Sequence, residues 1–294
     1  MPAPLPLLAA LLAIALFSGM DAVMKGLSLA IGVFNAVWWR QVVGIAASGT
    51  HWALGGRPRP TRGALRLHIE RGAVTSVMSI LFFWAITRLP LAEAIALTFV
   101  SPLIALFLAS ALLDERIGRR TVFGSVLAFA GVLVIALTRA GGEGDRELLG
   151  VAAAVGSAVL YAYNIILMRR QAQVAGPVEI AFFQNAAVLA CLGIVAPWIA
   201  TWPAAEHWPA ILGGAALAQG SLLLFAWAYA RAEAQVLAPV EFTAFLWASL
   251  FGWAYFDERL GPATLAGAAL IVAGCWWATR GVKAIAPTPE AATT

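Results

Sequence analysis

The sequence predicts an all-α integral membrane protein, with ten transmembrane helices forming two five-helix inverted-topology repeats around a central cavity. Three observations carry this. Of 294 residues, 62% are apolar and 12% charged, against about 45–50% and about 25% in ordinary soluble domains. The apolar residues gather into ten runs near the length that crosses a bilayer as helix. One phrase also occurs twice, as DERIGRR at 114–120 and DERLGPA at 257–263.

In chain order the runs are Leu5–Lys25, Phe34–Leu54, Leu67–Arg88, Leu91–Leu113, Thr121–Thr138, Leu148–Met168, Val178–Ala200, Pro209–Arg231, Gln235–Phe256 and Pro262–Thr279. They are continuously apolar and not alternating, which favours helices over a barrel. The breaks between them carry turn and charge signals, among them GGRPRPTRG, RAGGEGDRE and TWPAAEHWP. The N-terminal run lacks a positive leader and is too long for a signal h-region, so it reads as the first span. With both termini in the cytoplasm, the inner segments hold thirteen Lys and Arg and the outer ones five, as the positive-inside rule requires. A multi-pass protein of a bacterial-type inner membrane follows.

The doubled phrase sets a shift of 143 positions. The same shift lays Gln41 on Gln184, Trp84 on Trp227, Arg88 on Arg231, Phe99 on Phe242, Thr121 on Thr264, Gly124 on Gly267 and Gly131 on Gly274, and brings Asp21 to Asn164. These matches define a first repeat over 1–140, a second over 148–281, and a cytoplasmic tail at 282–294. Five spans is an odd number, so the second repeat enters the membrane inverted. Arg119 and Arg120, at the inner face, then become Pro262 and Ala263 at the outer one. The phrase itself reads as a helix stop with an inter-loop ion pair.

Ten spans, the five-plus-five halves, and a fourth span ending in Glu-Arg-Ile/Leu before a Gly-spaced fifth resemble the drug/metabolite transporter superfamily, and within it the EamA-type exporters. The Trp-rich spans and APVEF at 238–242 are similar to the YddG-type amino-acid exporters. The resemblance implies a basket of helices around a cavity, with spans three, four, eight and nine at its heart, exporting metabolites.

Intramembrane polar groups are costly and face a cavity or one another. Span three carries Gly72, Thr75, Ser76 and Ser79 on one face, with Trp84 two turns beyond Ser76. The shift puts Gln219 on Ser76, so each half offers a hydrogen-bonding group and a tryptophan, Trp84 or Trp227, for stacking. Helix gluing and interfacial anchoring are the competing readings. Span four adds Thr98 and Ser101, with Pro102 freeing backbone carbonyls, and Pro239 precedes Glu241 on span nine. Glu241, about 9 Å from the cytoplasmic end, is suited to an ammonium group or a proton, or to a structural partner. Tyr161 and Asn164 on span six complete the candidates. Asp21 and Arg40 lie at similar depth and form a possible charge pair; alternatively Arg40 binds a substrate carboxylate. Trp198, Trp202 and Trp208 read as interfacial anchors, and the Gly spacings of spans five and ten as close packing, within the fold or between two copies.

Other classes fit less well. The chain lacks HExxH, GxSxG and Walker A motifs, and His51, His68 and His207 form no ligand pair. Neither catalytic residues, nor a metal, nor a cofactor is expected. Cys191 and Cys275 sit in apolar runs, and the basic residues form no nucleic-acid face. A channel through the same cavity is a rival. The expected activity is alternating-access export of small metabolites, best fitted by amino acids and within them aromatic ones. Cationic drugs or other metabolites are the alternative. The oligomeric state is open between monomer and homodimer.

Overall fold

The computed structural model describes residues 4–54, 56, 59–113, 119–140, 145–231, 237 and 240–279. Its helices are α1 (Pro4–Ile31), α2 (Val33–Leu54), α3 (Arg62–Ile86), α4 (Leu91–Thr98), α5 (Ser101–Leu113), α6 (Arg119–Ala140), α7 (Asp145–Ala172), α8 (Pro177–Gly193), α9 (Ala196–Ile199), α10 (Trp208–Tyr229), α11 (Ala244–Phe256) and α12 (Pro262–Thr279). Among the described residues there is no strand. Among the described residues, four helical stretches are long and apolar enough to cross a membrane: Leu5–Ile31, Arg62–Ile86, Arg146–Ala172 and Ala205–Tyr229. Five shorter apolar stretches lie in α4–α5, α6, α8, α11 and α12. The first DER phrase at 114–118, the GGEG at 141–144, Pro239 and the tail lie outside the described residues.

Local chemistry sets the ends. Thr61 caps α3 by accepting from the Ala64 N–H at 3.2 Å. Pro177 opens α8, where a missing N–H costs nothing. Three expected spans are interrupted. Leu91–Leu113 breaks at Phe99–Val100, because Pro102 has no N–H for the carbonyl of Thr98. Val178–Ala200 breaks at Ile194–Val195, one turn into which Pro197 removes the bond to Gly193; there the backbone tightens to three-residue bonds, Val195 N–H to Leu192 at 3.0 Å. In Gln235–Phe256, a turn at Phe242–Thr243 separates Val240 and Glu241 from α11.

Packing is mostly between helices distant in sequence: α6 along α12, α1 along α10, α3 along α7, and α2 along α8. The α6–α12 contact is close enough to need glycine. A Cβ on Gly131 would lie 2.5 Å from the Gly267 carbonyl oxygen, and one on Gly274 would lie 2.5 Å from that of Gly124. These contacts exchange under the 143-residue shift. So does the aromatic contact of Phe99 with Phe242, edge to face at 5.3 Å. Gly72 brings α3 equally near α8, where a Cβ would meet that of Ala187 at 2.5 Å.

Candidate functional site

A chain of polar side chains joins α3, α7 and α8. Arg71 on α3 donates from Nε to Asn164 Oδ1 at 2.9 Å and from Nη1 to Gln171 Oε1. Gln171 turns its amide nitrogen to His68 Nδ1, and His68 Nε2 faces Glu179 Oε1 at 3.3 Å. An amide N–H only donates, so Nδ1 accepts and the ring proton sits on Nε2, directed at Glu179. Gln184 donates to Thr75 Oγ1 at 3.2 Å, and Thr75 reaches Asn164 Oδ1 at 3.4 Å. His68 and Gln171 are fully buried. One turn before Asn164, Tyr161 is 43% exposed, yet it lies within electrostatic range of both Arg71 and Glu241. Glu241 accepts from the Tyr229 hydroxyl at 2.7 Å. A cation, an acid and two phenols therefore share one neighbourhood.

Of the expected residues, Asn164 is hydrogen-bonded into this chain with Tyr161 one turn before it on α7, while Glu241 is held by Tyr229. The others divide. Ser76 is buried where α3 crosses α8, donating to Gly72 O at 2.7 Å with Val188 O at 3.4 Å, so it serves packing. Thr98 donates to Ile95 O and Ser101 to Thr98 O, both at 2.7 Å. The carbonyl that Pro102 frees thus already accepts from the hydroxyl of Ser101. Ser79 and Gln219 are half-buried and make no hydrogen bond among the described residues. Trp84 and Trp227 carry their own lids: the guanidinium of Arg88 lies over Trp84 at 3.3 Å and that of Arg231 over Trp227 at 4.4 Å. Each arginine also donates to its tryptophan's carbonyl at 3.3 Å. Asp21 and Arg40 feel each other's charge, but no hydrogen bond or ion pair joins them among the described residues, and Asp21 Oδ1 and Arg40 Nε are buried without partners.

Arg71, His68, Gln171, Gln184 and Glu179 were not expected at a site. Arg71 is one of the thirteen basic residues assigned to the inner segments, and His68 one of the histidines that form no ligand pair in the sequence. The signal was present: the polar stripe of α3, continued one turn towards its N-terminus, passes through His68 and Arg71.

At the opposite end of the bundle a second charged cluster is closed. Asp257 ends α11 in a left-handed conformation, φ 50°, which Asp tolerates. The chain folds back so that Glu258 lies over Gly252, where a Cβ would fall 2.5 Å from Oε2. Glu258 pairs with Lys25 of α1 and accepts from the Leu91 N–H at 2.7 Å, while Lys25 also donates to Leu89 O at 2.7 Å. Thr264 of α12 donates to the buried Glu93 of α4 at 2.7 Å. The second DER phrase is thus the helix stop expected of it, but its ion pair reaches Lys25 inside α1 and not another loop. Trp39, Trp202 and Trp208 cluster near this end, with ring centroids 4.8–5.6 Å apart. The Trp198 and Trp202 side chains are 80% and 76% exposed.

Comparison with known proteins decides the class of this helical basket. The profile of the EamA-like transporter family matches twice, over residues 4–137 and 148–280. The chain belongs to the EamA-like transporter family. It is a multi-pass membrane transporter, as the sequence resemblance implied. Similar curated proteins include the pseudopaline exporter CntI of Pseudomonas aeruginosa, 24% identical over 91% of this chain and 93% of that protein. A second is an uncharacterized transporter of Helicobacter pylori, 28% identical over 72% of each chain. A third is the aromatic amino acid exporter YddG of Ancylobacter novellus, 29% identical over 45% of this chain and 46% of its own. A solved crystal structure shares the fold, with a TM-score of 0.59 at 22% identity over 94% of this chain and 96% of its own. In this EamA-like chain, each family match spans one set of the positions related by the shift.

Proposed function

We propose that this protein is a secondary exporter of amino acids that works by alternating access in a bacterial inner membrane. In this reading residues 1–140 and 148–281 are two inverted five-span halves, and both termini and the 282–294 tail are cytoplasmic. The observation that carries it is the family match repeated in each half, and the reciprocal contacts Gly131–Gly267 and Gly124–Gly274 support it. Two such halves exchange roles to open one cavity to either side.

The orientation is supported by the arginines. Arg62, Arg66, Arg169, Arg170 and Arg231 all fall at the helix ends nearest the Arg71–Glu241 neighbourhood, which supports a cytoplasmic position for it. Lys25, Glu258 and Glu93 then close the outer end. Amino-acid substrates are supported by the relatives named for pseudopaline and for aromatic amino acids. Ser79, Tyr161, Asn164, Gln219 and Glu241 are the favoured cavity contacts. Ser76, Trp84, Thr98, Ser101 and Trp227 support the cavity wall from behind. A second reading, export of cationic compounds, draws on Glu241 beside Tyr161 and Tyr229, an acid with aromatic rings.

Counterflow in proteoliposomes tests this. Vesicles loaded with unlabelled tryptophan, phenylalanine, threonine, methionine or lysine are expected to accumulate the same labelled amino acid above protein-free vesicles. A channel equilibrates label without such acceleration. Absence of accumulation for every amino acid, with an organic cation accumulating instead, would transfer the assignment to the second reading.

A further inference from the structure

Arg71 stands about nine residues, or ~13 Å, along α3 from Arg62. It is half-buried, and no carboxylate pairs with it among the described residues. The acids nearby are already engaged: Glu179 by His68, Glu70 by the Tyr163 hydroxyl, Glu241 by the Tyr229 hydroxyl. Its two hydrogen-bond partners, Asn164 and Gln171, are neutral. They orient the guanidinium without neutralising it, and Gln171 is itself held through His68 to Glu179. Nη2 has no protein acceptor among the described residues. An unneutralised guanidinium at this depth is costly, and the arrangement keeps it aimed and available. A planar guanidinium with free N–H groups matches a carboxylate in two-point geometry. Glu241 lies within electrostatic range of the same Tyr161 that senses Arg71.

Resting on the amino-acid reading above, we propose that Arg71 binds the substrate's carboxylate and Glu241 its ammonium, so that the site selects a zwitterionic amino-acid head group. Tyr161 and Tyr229 flank the side chain, and Gln171 and His68 are positioning residues. This moves carboxylate recognition from Arg40, which lies near the acid Asp21, to Arg71, which has no acid partner.

The test measures inhibition of labelled tryptophan counterflow by L-tryptophan, by tryptamine, which lacks the carboxylate, and by indole-3-propionate, which lacks the ammonium. In the unmodified protein each analogue is expected to compete about tenfold to a hundredfold more weakly than tryptophan. Arg71→Gln is expected to raise the KM for tryptophan by a similar factor while leaving tryptamine inhibition nearly unchanged, with Arg71→Lys intermediate. Should Arg71→Gln fail to fold, Arg71→Lys decides: a KM for tryptophan unchanged by loss of the two-point fork overturns the assignment. Exchange of tryptophan with tryptamine as an equal competitor overturns the zwitterion site and leaves the exporter reading standing. Absence of exchange for any amino acid overturns both.

Discussion

Lys25 and Glu258 form a buried pair, with side chains 6% and 14% exposed. Removing one partner of such a pair strands the other charge, at a cost of about 3–5 kcal/mol, whereas removing both costs much less. Lys25→Met is therefore expected to lower the thermal stability of the detergent-solubilised protein clearly, and Lys25→Met with Glu258→Leu to restore most of the loss. Equal melting of all three proteins would show the pair to be idle. Legibility at this scale was uneven. Glu241 and the Asn164–Tyr161 pair were readable because polar residues inside apolar runs need a reason to be there. Arg71, on which the proposed carboxylate contact rests, did not stand out in the sequence, because an arginine near a span end satisfies the positive-inside rule equally well as a loop cation. Only the contacts with Asn164 and Gln171, 93 and 100 positions away, separate the two roles.

Helix pairs carry the architecture, and glycine sets their separation. Alanine at Gly131 or Gly274 is expected to destabilise by about 1–3 kcal/mol each, because backbone atoms stand where the Cβ would go. Their near-equal environments predict near-equal effects. Alanine at Gly213, which has nothing within 4 Å of a Cβ, is expected to be neutral or to stabilise by up to about 1 kcal/mol through helix propensity. Thermal unfolding of the three variants checks this; a tolerated Gly131→Ala would contradict the close α6–α12 contact. The helices were legible because apolar runs and proline-marked breaks are local signals. The break at Phe99–Val100 was legible from Pro102, whereas the one at Ile194–Val195 was not, since Pro197 lies inside a run whose composition alone reads as unbroken helix. The repeat was legible from the doubled DER phrase, but the reciprocal partners were not, because a sequence shift pairs positions without saying which of them touch.

In the molecule as a whole, the two charged clusters lie at opposite ends of the bundle and differ in state. Tyr161, Tyr229 and Glu241 are exposed at one end, while Lys25 and Glu93 are buried at the other. Under the proposed alternating access, the closed end opens as the open end closes, and the Lys25–Glu258 contact breaks in doing so. Ser28, three positions beyond Lys25 on α1 and 4% exposed, reports on that end. The decisive measurement uses a Ser28→Cys protein with Cys191 and Cys275 replaced by serine, in intact cells exposed to a membrane-impermeant thiol reagent. Labelling is expected to be slow in the resting protein, faster when the cytoplasm is loaded with exported amino acid, and fastest with Glu258→Gln added. Labelling at one rate under all three conditions, with transport intact, would contradict an outer gate latched by this pair and, with it, the alternating-access account.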